Sequence, residues 1–113
     1  MILKTKDAYR FWSALHRDFP KIERFGIGQK IELSFLGILE LTFSASYLAP
    51  EYKIPMLGKA ISKLDVVKFF TQIAWENKLI ATEKYSELLS RLEEIGRMLG
   101  GWRKGLQSKT PIK

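Results

Sequence analysis

The sequence predicts an all-α protein: an antiparallel, up-down four-helix bundle whose copies pack against one another as a homo-oligomer. Three observations lead there. Apolar residues recur three and four apart in four successive segments, short breaks marked by proline, glycine or polar residues separate them, and the last segment keeps a heptad seam. The second segment is apolar on more sides than one chain can cover.

The first helix is expected from about Thr5 to Phe19, with Ala8, Phe11, Trp12, Leu15 and Phe19 on one side. Pro20 stops it, because proline lacks the amide a helix interior needs. The connector KIERFGIGQ follows, where Gly26 and Gly28 mark a turn or a loosely wound start to the next helix.

The second helix is expected over Gln29–Ala49. Ile31, Phe35, Ile38 and Leu39 point one way, whereas Leu33, Leu36, Phe43 and Tyr47 point largely elsewhere. A helix apolar nearly all round must be covered nearly all round. Phe35, Leu36, Leu39 and Phe43 are therefore expected at a contact with another subunit. Glu40 is the only charge between Leu33 and Ala49, but the stretch is shorter than the ~20 apolar residues a membrane span needs.

APEYKIP, with Pro50 and Pro55, reads as a loop before a third helix over Met56–Glu76. Leu57, Ala60, Leu64, Val67 and Ala74 face its core, and Asn77 and Lys78 end it. Thr82 is suited to N-cap the fourth helix. There Ala81, Tyr85, Leu88, Leu92, Ile95, Leu99, Trp102 and Leu106 follow alternating spacings of four and three, the seam of an antiparallel bundle. Residues 1–106 form the bundle domain, and 107–113 are expected to be a basic, disordered tail.

Glycines interrupt this fourth helix at Gly96, Gly100 and Gly101. Each costs about 0.5–1 kcal/mol relative to alanine in a helix interior. Gly100 or Gly101 could end the helix as a left-handed cap. Trp102 and Leu106 keep the heptad in step, which favours continuation. Gly96 and Gly100 lie one turn apart, and with Trp102 they are expected to receive a closely approaching helix or partner.

Charge is unevenly placed. The net charge is +7, with a pI near 9.7, and no acid follows Glu94. Lys6, Arg10 and Arg17 share a face of the first helix, Lys59 and Lys63 lie one turn apart on the third, and Arg97 and Lys104 share a face of the fourth beside Arg103. Cations at intervals along helices suit phosphate backbones better than base edges. These eight residues are the candidate nucleic-acid contacts, against the plainer reading of solvated faces.

Enzyme chemistry finds no support in the sequence. Ser13 and His16 form a chance pair without an orienting acid, and GIGQK lacks the spacing of a phosphate-binding loop. His16 is the only histidine and reads as a surface residue; with no cysteine present, no metal site or cofactor is expected. The absence of cysteine fits a reducing cytoplasm, and MILKTKDAYR has no apolar signal-peptide core.

With these residues in view, the chain resembles the Avd family, the four-helix-bundle accessory proteins of diversity-generating retroelements. LEEIGRMLGGW (Leu92–Trp102) is the most specific part, supported by FPKIERFGIG (Phe19–Gly28) and GILEL (Gly37–Leu41). Gly96, Arg97, Gly100, Gly101 and Trp102 are the family-matching motif residues. Intervening-sequence proteins, encoded within some large-subunit ribosomal RNA genes, share a similar FPK-x-E-R-F-G start to the second helix. Their helix continues with something like SIPSNIAEG where this chain has LGILELTFSAS, which favours the retroelement branch.

The resemblance implies a homo-oligomeric, pentameric barrel of four-helix protomers, a nucleic-acid-binding surface for RNA and cDNA, and a reverse transcriptase partner. The chain itself would be a non-catalytic aid to mutagenic cDNA synthesis. The alternative is a bundle of the intervening-sequence type, acting as an oligomeric scaffold or RNA-associated protein without that polymerase.

Overall fold

The computed structural model describes residues 2–109, which form helices α1 (Ile2–Arg17), α2 (Lys21–Phe25), α3 (Ile27–Ala45), α4 (Pro50–Glu76) and α5 (Thr82–Lys109). The four long helices run up and down in an elongated bundle of about 50 × 23 × 22 Å. α4 packs between α3 and α5, and α1 closes the fourth side against the same two helices. Lys4 of α1 pairs with Glu94 at 3.3 Å, so α5 runs on well past the start of α1.

Helical period explains the core directly. Trp12 and Ala8 from α1, Ile31, Phe35 and Ile38 from α3, Leu57, Leu64 and Val67 from α4, and Leu88, Leu92, Ile95 and Leu99 from α5 are all buried. Burying each large aliphatic contributes roughly 1.5–3 kcal/mol. The expected seam of α5 holds at its centre, while Tyr85, Trp102 and Leu106 are half-buried at its ends and Ala81 is exposed just before the helix begins.

Three local expectations change. APEYKIP is helical rather than a loop. Pro50 takes the first position of α4, where a missing amide costs nothing, and Pro55 stands on an exposed side where water can serve the carbonyl it leaves free. KIERFGIGQ contains the short helix α2, and a kink at Gly26 (φ −98°, ψ −108°) leads straight into α3, which ends at Ala45 rather than Ala49. Thr82 opens α5, and its hydroxyl oxygen accepts the indole N–H of Trp75 at 3.0 Å.

α5 continues through Gly100 and Gly101, and no glycine has positive φ, so the glycines do not cap it. Of the expected tail, Gln107–Lys109 extend the helix, and residues 110–113 lie outside the described residues.

α4 ends in a Schellman turn: the amide of Lys78 donates to the Trp75 carbonyl and that of Leu79 to the Ala74 carbonyl, both at 2.9 Å. Lys78 occupies the left-handed position at φ 62°, where glycine is usual. The Lys78→Gly variant should gain ~1 kcal/mol, raising the thermal midpoint by about 4 °C in a melt followed by circular dichroism.

Candidate assembly and nucleic-acid interfaces

α3 has two apolar sides. One is the core face already described. The other carries Leu33, Leu36 and Phe43, which are 58%, 41% and 54% exposed, and leads to Tyr47 just past the helix, 77% exposed. Phe43 and Tyr47 pack edge to face, 5.1 Å between centroids. Beside them a groove of about 540 Å³ opens between the start of α1 and the end of α3, lined by Ile2, Lys6, Leu39, Glu40, Phe43, Ser46 and Tyr47. A run of large apolar side chains left in water at this density marks an interaction surface.

The expected interface residues therefore divide. Leu36 and Phe43 are exposed, and Leu39 is half-buried along the groove. Phe35 is corrected: it is fully buried in its own chain, edge to face with Tyr9 at 5.7 Å, and offers no surface to a neighbour.

Gly96 faces inward to α4. A Cβ there would sit 3.3 Å from Leu64 Cδ2 and 3.7 Å from Lys68 Nζ, so the helix that approaches it belongs to the same bundle. Gly100 faces open space. Trp102 is half-buried against the core, with Lys53 Nζ 5.7 Å from its ring.

The candidate cations stand on three sides of the bundle. Lys6, Arg10 and Arg17 are exposed on α1; Arg10 is tied to Asp7 at 3.2 Å, and Arg17 reaches back to the Ser13 carbonyl. Lys59 and Lys63 are exposed on α4, and the stem of Lys63 crosses Gly37 of α3, where a Cβ would meet its Cδ at 2.7 Å. Lys6 and Lys63 thus flank the apolar face of α3 from opposite sides.

Arg97 and Lys104 are exposed on α5, and half-buried Arg103 leans over Gly58. A groove between α4 and α5 brings Lys68 to Arg97, above Gly96 and beside Asp65 and Glu93.

A polar cluster that sequence reading missed fixes α1 on α3. The half-buried Glu32 carboxylate accepts from the Tyr9 hydroxyl at 2.5 Å and from the Trp12 indole N–H at 3.0 Å, and His16 Nδ1 lies 3.8 Å away. His16 is no surface residue. It stacks on Trp12 at 4.9 Å and meets the edge of Phe19, while its Nε2 lies 3.4 Å from the Arg24 carbonyl rather than near Ser13.

Gly28 makes room for that ring: a Cβ there would fall 2.5 Å from His16 Nε2 and 2.9 Å from the Glu23 carbonyl. The Phe and the glycine in FPKIERFGIG were the available signal. Among the described residues there is no group of three or more acidic or histidine side chains suited to a metal ion, and no helix long and apolar enough to cross a membrane.

Long antiparallel helices with one apolar face left open define a four-helix-bundle protein whose distinguishing chemistry lies on its surface. Residues 3–106 match the family model described as bAvd-like. The chain belongs to this family, the Avd-like accessory variability determinants associated with diversity-generating retroelements. A comparison with curated proteins finds no match.

Two outcomes follow from the Glu32 cluster. The hydrogen bond to Glu32, then burial, push the Tyr9 hydroxyl up to about 12. The folded state therefore holds this proton more tightly than the unfolded chain does. The resulting stabilisation is complete below about pH 10 and is lost as pH rises through about 12. Urea midpoints measured across that window should fall more steeply for the native chain than for Tyr9→Phe. Some slope will persist, because burial, then Glu76 and Glu93, also raise Tyr85.

Gly28→Ala should cost about 1–3 kcal/mol by overpacking. In a double-mutant cycle His16→Ala should recover part of that loss, the remainder coming from the Glu23 carbonyl. Additive losses would contradict the packing described.

Proposed function

We propose that the chain is the non-catalytic accessory subunit of a retroelement reverse transcriptase. It assembles as a homo-oligomeric ring, a pentamer as the family resemblance implies. The ring binds template RNA and cDNA along its basic sides and engages the polymerase during mutagenic cDNA synthesis. The observation that carries this reading is the open apolar face of α3, flanked by Lys6 and Lys63, in a chain of the Avd-like family.

Physical chemistry supports each part. Covering Leu33, Leu36, Phe43 and Tyr47 with a second copy removes a surface that water penalises. A symmetric pairing of two such faces would set lysine borders against lysine borders. A ring instead joins two different patches. Phe69 on α4, exposed and edge to face with Phe70 at 5.3 Å, supplies a second patch, with Asp65 one turn before it. Closure repeats Lys6, Arg10, Arg17, Lys59, Lys63, Arg97, Arg103 and Lys104 in every subunit, and a polyanion binding several of them releases counterions.

Light scattering with nucleic-acid titrations tests the proposal. The native chain should sediment and scatter as a multimer, and Leu36→Glu with Phe43→Glu should leave a folded monomer. RNA affinity should fall roughly a thousandfold between 50 and 200 mM salt if six or more phosphates are held. Reversing the charge of Lys6, Arg10 and Arg17 should flatten the log–log slope by about three, near one per lost phosphate contact. A monomeric native chain or a flat salt response would overturn the assembly or the RNA part respectively. Co-purification with the polymerase encoded by the same element tests the remaining part.

A further inference from the structure

The turn between α4 and α5 holds a cavity of about 450 Å³ that no part of the reading above uses. Trp75, Glu76, Lys78, Ile80, Ala81 and Thr82 line it. Its size falls in the range of small-ligand sites, it is open to solvent, and its lining mixes apolar with polar groups. The indole of Trp75 is held in place twice: its N–H donates to Thr82 Oγ1 at 3.0 Å, and Tyr85 stacks on it at 4.9 Å with only 9° between the planes. Tyr85, stacked on one face of the ring, does not line the cavity, whereas Trp75 does.

Polar groups surround this ring. Lys78 is exposed, has no ion-pair partner among the described residues, and stands in a left-handed turn position where glycine would be easier. Glu76 offers an acceptor, lightly held by the Gln72 amide at 3.5 Å.

We propose that this cavity binds a nucleobase, stacked on Trp75 and tethered through its phosphate by Lys78. A flat heteroaromatic ring continues the Tyr85–Trp75 stack, as bases do on aromatic platforms. The Glu76 carboxylate favours a base that presents amino or imino donors. The site rests on the proposed nucleic-acid function but differs in kind from it: the helix faces hold phosphates of any strand, whereas this cavity needs an unpaired base. The base can come from a single strand or from a free nucleotide.

Four probes on the full chain separate these cases: a 12-nucleotide single-stranded DNA, its duplex, an abasic oligomer of equal length, and guanosine monophosphate. Trp75→Leu should weaken single-strand binding about tenfold, in line with one lost base stack, and leave duplex and abasic binding unchanged. Trp75→Phe should recover most of the loss. Lys78→Gly tests the tether without risk to the fold, since it relieves the backbone: it should raise the melting temperature yet weaken single-strand binding several-fold and lower the salt slope by about one.

Trp75-dependent binding of the mononucleotide assigns the cavity to free nucleotides, and dependence seen only with the oligonucleotide assigns it to a strand. Equal single-strand affinity in native and Trp75→Leu chains overturns the site while leaving the phosphate-binding faces standing. Mononucleotide binding that needs Trp75, with no duplex or abasic binding at low salt, upholds the site and removes the polyanion reading instead. Failure of the native chain to bind any of the four overturns both.

Discussion

The constraint on which the structure turns is that α3 is apolar on two sides and the bundle can bury only one. Its inner face, from Ile31 through Ile38 to Ala45, is buried, with α4 and α1 packed on either side of the helix. Its outer face is left to water, although Leu33, Leu36 and Phe43 are as large and apolar as the residues within. No rearrangement of the bundle can hide both faces. Turning the helix to bury Phe43 would bring Phe35 and Ile38 out. A surplus of apolar surface on α3 is therefore a property of the composition of that helix, and no rotation within the bundle removes it.

The Glu32 cluster decides what borders that open face. α1 meets its neighbours less extensively than α4 does, and polar bonds supplement its packing: one carboxylate of α3 takes the Tyr9 hydroxyl and the Trp12 indole, with His16 wedged between Trp12 and the start of α3. Hydrogen bonds to a charged acceptor are stronger than neutral ones and directional, so the rotation of α1 about its own axis is set. That rotation places Lys6 along the groove beside Phe43. Gly37 does the corresponding work on the other side, by letting the stem of Lys63 cross α3. Apolar face and cationic borders are thus placed by contacts internal to one chain.

How much of this was legible in the sequence depended on whether a feature is local. The seam residues Leu88, Leu92, Ile95 and Leu99 were readable because a helix repeats every few positions and burial follows the repeat. Which of two apolar sides of α3 faces inward was not readable, since a helical wheel fixes angles and not neighbours; hence Phe35 was set at an interface and lies in the core. Pro50 and Pro55 suggested a loop, but a proline in the opening turns of a helix is compatible with it. Glu32 and Gly28 of α3 meet His16 of α1, and nothing in their spacing announces it. Lys68 and Arg97 come together for the same reason, across the groove between α4 and α5.

The glycines of α5 show how one sequence feature can serve unequal purposes. Gly96 has a reason inside the chain, because Leu64 occupies the space its side chain would need. Gly100, Gly101 and Gly105 show none there: among the described residues, and apart from their own helix backbone, nothing lies within 4 Å of where their Cβ atoms would be. They sit in the part of α5 beyond Glu94, the residue that pairs with Lys4 near the start of α1. Each glycine weakens the helix by loosening its backbone, and the folded monomer gains no contact in exchange. If a neighbouring subunit packs there, the cost is met on assembly, and filling the space with alanine would then strengthen the isolated helix while crowding the assembled one. The same logic applies to the open face of α3: there too the single chain carries a feature that its own packing does not use.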